Sequence, residues 1–403
     1  MQPEPPQHCY KEFYLGFENQ TTILKNLTDI EKFRKDWENW QFYPNSDIDF
    51  YLHVINAREA TVTPFVIIIG PTEKPLAIAI GRKERGFTDM KAGYKTLWRV
   101  KSDVIVIMHN GFIGETNTQT AQLLINALWR CLKQKEADAV RFELLARNSM
   151  LLNTIQANTP FLCRNQIFEY RAHWKLAVPT KINDLYERLS SNHRNQLRRL
   201  TKKIEHDFPG PAIYIKCLQK PGELDRLFND VELIAKQTYQ RSLGAGFIDN
   251  DENKSRLALE AKRGWLRMNV LYINNEPCAY WWGIVYKNIF YSCALGYVPE
   301  YQNYSAGMYL IIKTLESLCG KDITHVDFGP GDARYKQQFG DEQYEETSIT
   351  LFAPNLKSMA LNTALSANNA VIFYLKILLN RFKIGDKLKK HWRNKLKKSS
   401  SFS

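Results

Sequence analysis

Asp327, Asp332, Tyr335 and Lys336 stand within a single stretch, Asp327-Phe328-Gly329-Pro330-Gly331-Asp332-Ala333-Arg334-Tyr335-Lys336, which leaves a predicted strand through two glycines. Carboxylates on a loop beyond a strand end can position or deprotonate an amine. A phenol whose ordinary pKa is about 10 stays protonated at neutral pH and can return a proton, and a lysine can pair with a carboxylate or hold a phosphate. Just upstream, Gln302-Asn303-Tyr304-Ser305-Ala306-Gly307 enters an apolar helix, with Met308, Leu310, Ile311, Ile312, Leu315 and Leu318 at helical spacing. The first N–H groups of such a helix have no acceptor within it and point at whatever lies over its N-terminus, so anions bind there. Ala306 and Gly307 allow close backbone approach, and Ser305 can cap the helix or reach a phosphate oxygen. Together these residues offer proton transfer at an amine beside a bound phosphate.

The elements that must position them are legible around this core. Strands are expected at Pro211–Leu218, Met268–Ile273, Cys278–Val285, Ile289–Leu295, Ile323–Phe328 and Thr347–Phe352. Helices are expected at Glu223–Arg241, Lys254–Leu266, from near Ser305, and near Asp332–Gln338. Strand, two helices, three antiparallel strands, helix, strand, helix, strand is an order that resembles the GNAT acyltransferases. In that family the helix start after the fourth strand holds the pyrophosphate of an acyl-coenzyme A through Arg/Gln-x-x-Gly-x-Gly/Ala; Gln302, Ser305 and Gly307 occupy those places, Ser305 departing from the usual glycine.

The DFGPGDARYK segment, with Phe339-Gly340 behind it, narrows the likeness. It resembles the signature of the CelD-type acetyltransferases of polysaccharide biosynthesis, which are related to the Fem-type aminoacyl transferases. The resemblance implies acetyl- or other acyl-coenzyme A as co-substrate, bound at residues 302–307, and an amino-sugar or lipid-linked glycan acceptor. Acyl transfer from a thioester needs a deprotonated amine, a stabilised oxyanion and a protonated leaving thiolate. Asp327 and Asp332 are the expected amine-handling groups and Tyr335 the proton donor, the role a tyrosine has in many GNAT enzymes. Lys336 is expected to pair with Asp327 or bind a donor phosphate. Two alternatives stay open, a Fem-like transferase that takes its aminoacyl group from tRNA and a catalytically retired scaffold. A kinase is excluded: the Asp-Phe-Gly has no Gly-rich loop, Val-Ala-Ile-Lys strand or His-Arg-Asp loop with it.

The first half is expected to repeat the order in degenerate form. A helix at Leu27–Trp40, a hairpin from Thr63–Ile69 and Leu76–Ile80, a strand at Asp103–Met108, a helix at Thr118–Leu132, a strand at Ala139–Leu144, a helix at Ser149–Ile155 and a strand near Ile167–Arg171 make it up. Trp174–Pro179 then crosses over, and Asn183–Ile204 follows as a helix whose Arg194 and Arg198 can hold an acidic acceptor or the donor's 3′-phosphate. Trp282 and Tyr291, from the aromatic run over two strands, are the candidates to stack on a sugar. The expected architecture is α/β (α+β), two tandem GNAT-like domains, each a mixed, mostly antiparallel sheet flanked by helices. Residues 10–172 form the degenerate domain, 173–355 the catalytic one and 356–403 a basic amphipathic tail.

Charge and cysteine usage bound the rest. Of a net +13, the 28 residues from Lys376 carry +9, leaving a body too weakly basic for a general nucleic-acid surface. Seven cysteines without a Cys-x-x-Cys pair suggest neither disulfides nor a metal site, and a cytoplasmic setting fits. The run Ala370–Leu379 is too short to span a bilayer, but with the lysines after it can lie on the inner face of an anionic membrane.

Overall fold

Phe65-Val66-Ile67-Ile68-Ile69 is apolar at every position because the strand that carries it is buried on both faces. Phe65, Ile67 and Ile69 join one core; Val66 and Ile68 join another. The computed structural model describes residues 20–92, 95–238, 241 and 246–381. In chain order the first half gives β1 (Thr21–Leu24), α1 (Leu27–Glu31), α2 (Arg34–Trp40), α3 (Ile48–Ala57), β2 (Val62–Ile69), β3 (Ala77–Ala92), β4 (Lys95–Gly114), α4 (Thr118–Lys133), β5 (Ala139–Ala146) and α5 (Met150–Asn158). The second gives β6 (Arg171–Ala177), α6 (Ile182–Glu187), α7 (Ser191–Asp207), β7 (Ile213–Leu218), α8 (Leu224–Ala235), α9 (Asp251–Lys262), β8 (Leu266–Ile273), β9 (Glu276–Tyr286), β10 (Ile289–Tyr297), α10 (Ala306–Leu318), β11 (His325–Pro330), α11 (Arg334–Phe339), β12 (Glu342–Phe352) and α12 (Leu356–Arg381).

Contacts divide the described chain into two units, residues 20–170 with 346–375, and 171–345 with 376–381. In the first, the strand order is β1-β2-β3-β4-β5-β12; all neighbours are antiparallel except the parallel pair β4 and β5. In the second, the order is β7-β8-β9-β10-β11-β6, with β10 and β11 the parallel pair. The expected repeat is therefore present, two mixed and mostly antiparallel sheets flanked by helices.

The sixth strand of each sheet departs from the expected order. Trp174 and its neighbours do not cross over as a linker: β6 is a strand of the second sheet, pairing His325 with Ala177 and Asp327 with Lys175. Thr347–Phe352, expected to close the second half, pairs with β5 of the first unit instead, together with Glu346. Local pattern cannot reveal this trade, because both strands have the alternation that either sheet would accept.

Two helices were longer in expectation than in fact. The Leu27–Trp40 stripe is broken where Phe33 N–H bonds back only three residues to Ile30 (3.0 Å), although Ile30, Phe33 and Trp37 are all buried. The Asn183–Ile204 stripe is cut at Ser190, whose hydroxyl accepts from His193 N–H (3.3 Å) and caps α7.

Candidate active site

β10 and β11 run parallel only from Ile289 opposite His325 to Tyr291 opposite Asp327. Beyond that register β10 continues for six residues and β11 for three, so the two strands part and leave a wedge between them. Asp327 sits at its apex. A bulge between Ser292 and Ala294 bends β10 at the same level.

Asp327 is buried, with 2% of its surface exposed, and its Oδ1 lies 2.6 Å from His173 Nε2 and accepts from Gly329 N–H at 2.8 Å. His173, on β6, is fully buried and stacks on Tyr344 at 4.6 Å. The Asp327 carboxylate thus ties together β6, β11 and the glycine turn. Gly329 and Gly331 take φ of 71° and 118°, which explains the two glycines: a side chain at either would be strained. Tyr335 is part-buried and packs edge-on against Phe328 at 5.9 Å.

The anion loop has a different shape from a plain strand-to-helix turn. Pro299–Tyr304 forms a 3-10 helix, and Ser305, at φ 50° and ψ 46°, turns the chain left-handed into α10. The family's usual glycine at this place suits that conformation; serine bears the cost of its Cβ. Ser305 is exposed and does not cap the helix with its hydroxyl. Gly307 faces inward, where a Cβ would stand 3.0 Å from the Tyr297 ring. Its smallness seats α10 on β10, so the close approach expected there is to protein.

A family model described as an acetyltransferase (GNAT) domain matches residues 191–337. The likeness is confined to that stretch of the second unit. Among solved structures, FemX shares 10% identity over 82% of this chain and 97% of its own, with a TM-score of 0.52. A tandem GNAT protein from the clavulanic acid biosynthesis pathway shares 6% over 83% and 99%, at 0.45. The C-terminal domain of a putative lysylphosphatidylglycerol synthetase from Agrobacterium fabrum shares 9% over 83% and 94%, at 0.49. No curated protein matches the sequence. The likeness to FemX is one of fold, and the family model overlaps the second unit.

Within the matched stretch, Lys336 does not pair with Asp327. Its Nζ donates to the carbonyls of Pro330 (2.8 Å) and Gly329 (3.3 Å), clamping the turn. Burial pushes its pKa down to about 8, against the opposing pull of Asp327 and Asp332. The native ammonium therefore loses its proton well before the unfolded one, whose value is the usual 10.5. Between those values the unfolded chain binds more protons, so Lys336 makes stability rise with pH from about 8 upward. Thermal unfolding of the parent and Lys336→Met across pH 7 to 10 checks this: the parent should gain on the variant by about pH 9.5, and a constant difference would contradict it.

The remaining expected residues divide. Asp332 is exposed on the turn, and Gln302 and Asn303 are exposed before α10. Arg194 donates to the carbonyls of Tyr186 and Glu187 (3.4 and 3.3 Å) and so closes the end of α6, while Arg198 is exposed. Trp282 is not a floor for a sugar: it is 4% exposed, lies in the core and donates its indole N–H to Glu260 at 2.9 Å. Tyr291 is buried too, and burial with the Asp327 charge raises its pKa.

Sequence reasoning missed three groups. His173 falls between the strand expected near Ile167–Arg171 and the crossover expected at Trp174–Pro179. Lys203, on α7, reaches Asn303 carbonyl oxygen at 3.4 Å and lies 4.9 Å over the Tyr304 ring, which brings the basic helix to the anion loop through a residue other than its arginines. Cys293 is exposed at the β10 bulge with Arg256 Nη2 3.7 Å from its sulfur.

Proposed function

We propose that this protein transfers an acetyl or longer acyl group from acyl-coenzyme A to an amino group of a sugar or lipid-linked glycan intermediate in cell-surface polysaccharide synthesis. The parting of β10 and β11 at Asp327, with α10 starting at the far end of β10, carries this reading. The donor pyrophosphate lies over the α10 N-terminus, where exposed Ser305 leaves it reachable and Lys203 adds a cation. The pantetheine arm runs into the wedge and brings the thioester toward the bulge. Asp332, exposed, takes the amine proton; Tyr335 protonates the leaving thiolate; Asp327 is a positioning residue that holds His173 and the turn in register.

The acceptor assignment draws on the DFGPGDARYK likeness, and a membrane-proximal acceptor also suits exposed Val371, Phe373, Tyr374, Leu375 and Ile377 on α12. Among the described residues no helix is long and apolar enough to cross a membrane. The strongly basic residues 382–403 lie outside the described residues.

Calorimetry with acetyl-coenzyme A and longer acyl-coenzyme A compounds tests the donor. Saturable binding of at least one is expected, and failure of all of them sinks the assignment. The FemX likeness favours one second reading, an aminoacyl group taken from tRNA. Co-purifying RNA together with transfer from aminoacyl-tRNA would establish it; a chain that binds neither donor is the retired scaffold.

A further inference from the structure

β2 accompanies β3 only as far as Glu84, and β5 accompanies β4 only from Val104. Arg85–Ala92 and Lys95–Asp103 pair with each other as a two-stranded ribbon that leaves the first unit's sheet; only at its base do Arg85 N–H, bonded to Thr61 carbonyl oxygen (2.9 Å), and Asp103, bonded to Asp138 (2.8 and 3.0 Å), still tie to other segments. Adjacent antiparallel strands need only a few residues to turn, so a ribbon of this length is not required by the sheet. Free ribbons with two open edges are marginal in water and are ordinarily kept polar. This one is not: Phe87, Leu97 and Trp98 are 64%, 56% and 62% exposed.

Its framework is nevertheless well made. Thr88 and Ser102 hydroxyls meet across the strands at 2.6 Å, Arg99 pairs with Asp89 at 3.1 Å, and Met90 lies opposite Trp98. Leu97 sits where the register shifts between Met90 and Lys91, and Phe87, opposite Lys101, and Trp98, opposite Met90, take opposite faces of the ribbon. The two strands contain five Lys or Arg against two Asp. Both acids are engaged, Asp89 by Arg99 and Asp103 by Lys83 at 3.0 Å, so the excess charge is positive.

We propose that this ribbon is a bilayer-interface element that seats Phe87, Leu97 and Trp98 among the headgroups of an anionic membrane. A ribbon that enters the interface tip-first presents both faces, so exposed apolar groups on each and an excess of Lys and Arg along its length match the boundary between acyl chains and anionic headgroups. A nucleic-acid partner would use the cations and the rings, but Leu97 has no flat face on which a base could stack. The proposal is independent of the transfer chemistry, since vesicles alone test it.

The experiment is co-sedimentation of the full chain with vesicles of phosphatidylglycerol and phosphatidylcholine in equal parts, and of phosphatidylcholine alone. The parent should bind the anionic vesicles, and Phe87→Ser/Leu97→Ser/Trp98→Ser should bind them at least about tenfold more weakly. These side chains are exposed, so its thermal unfolding should match the parent's. Arg85→Gln/Lys101→Gln, which keeps the apolar groups, should bind more weakly and with less salt dependence. Brominated acyl chains should quench the parent's fluorescence more than that of Trp98→Phe. Equal binding by parent and triple variant, no binding by the parent, or equal quenching would overturn the proposal. So would a tRNA gel shift lost in the triple variant while vesicle binding is unchanged.

Discussion

Asp327→Asn should lower turnover at least about tenfold, the effect expected when one positioning or acid–base group is removed. The reason lies in what its oxygens hold. Oδ1 accepts from Gly329 N–H and faces His173 Nε2 at 2.6 Å, in a place with 2% exposure where nothing else replaces a lost partner. An amide oxygen can still accept both bonds, but the charge that strengthens them is gone, so the tie from β6 to the turn weakens. The turn carries Asp332, and the helix after it begins with Arg334 and carries Tyr335 and Lys336, so a loosened turn displaces every group assigned to the reaction at once. Tyr335→Phe provides the contrast. It keeps the ring against Phe328 and removes only the hydroxyl, and a loss confined to the step that expels the thiolate would separate its role from the scaffolding role of Asp327. Steady-state turnover with a competent amine acceptor, alongside thermal unfolding, is the measurement. Full activity in both variants would mean that the motif holds the turn and does nothing in the reaction.

How far the sequence reached can be followed through these residues. Strands and helices of the second half were legible because their signals are local: the β-branched and aromatic run of β10, the apolar spacing of α10, and glycines whose positive φ the Asp-Phe-Gly-x-Gly turn requires. His173 was not legible, because its meaning depends on a contact between residues 154 apart, on strands whose pairing no local pattern announces. Trp282 misled for the opposite reason. Periodicity says that alternate aromatics face opposite sides of a sheet, but here both sides are core: Trp281 lies in one cluster and Tyr280 and Trp282 in another. The β3–β4 ribbon escaped because its residues are polar enough to read as a loop between strands. Only the end of the β2 and β5 pairing shows that they stand clear of the sheet.

Glu260→Ala should be the most destabilising single change near the wedge, at about 3 kcal/mol. Glu260 is fully buried on α9, and burial pushes its carboxyl pKa up while Arg256 pulls it back. Its two oxygens accept from Arg256 Nε at 2.7 Å and from Trp282 Nε1 at 2.9 Å, and the Arg256 guanidinium lies 4.5 Å over the same indole. Alanine leaves an indole N–H and a largely covered guanidinium without their acceptor, and that stranded charge is the main cost. Arg256 is 30% exposed, so part of the penalty is relieved by water, which holds the figure at the lower end for a broken buried pair. The damage should reach function if the proposed binding mode holds, because Arg256 also touches Cys293 at the β10 bulge, the side of the wedge to which that mode brings the thioester. Denaturant unfolding followed by circular dichroism reports the stability, and acyl-coenzyme A binding reports the wedge. Arg256→Met/Glu260→Leu should recover most of the lost stability, since an apolar pair leaves no charge uncompensated. It should not recover the contact to Cys293, so a double variant that is stable but binds acyl-coenzyme A weakly would show that the network braces the site as well as the core. A Glu260→Ala protein as stable as the parent would show that Arg256 finds another acceptor, and the brace would then have to lie elsewhere.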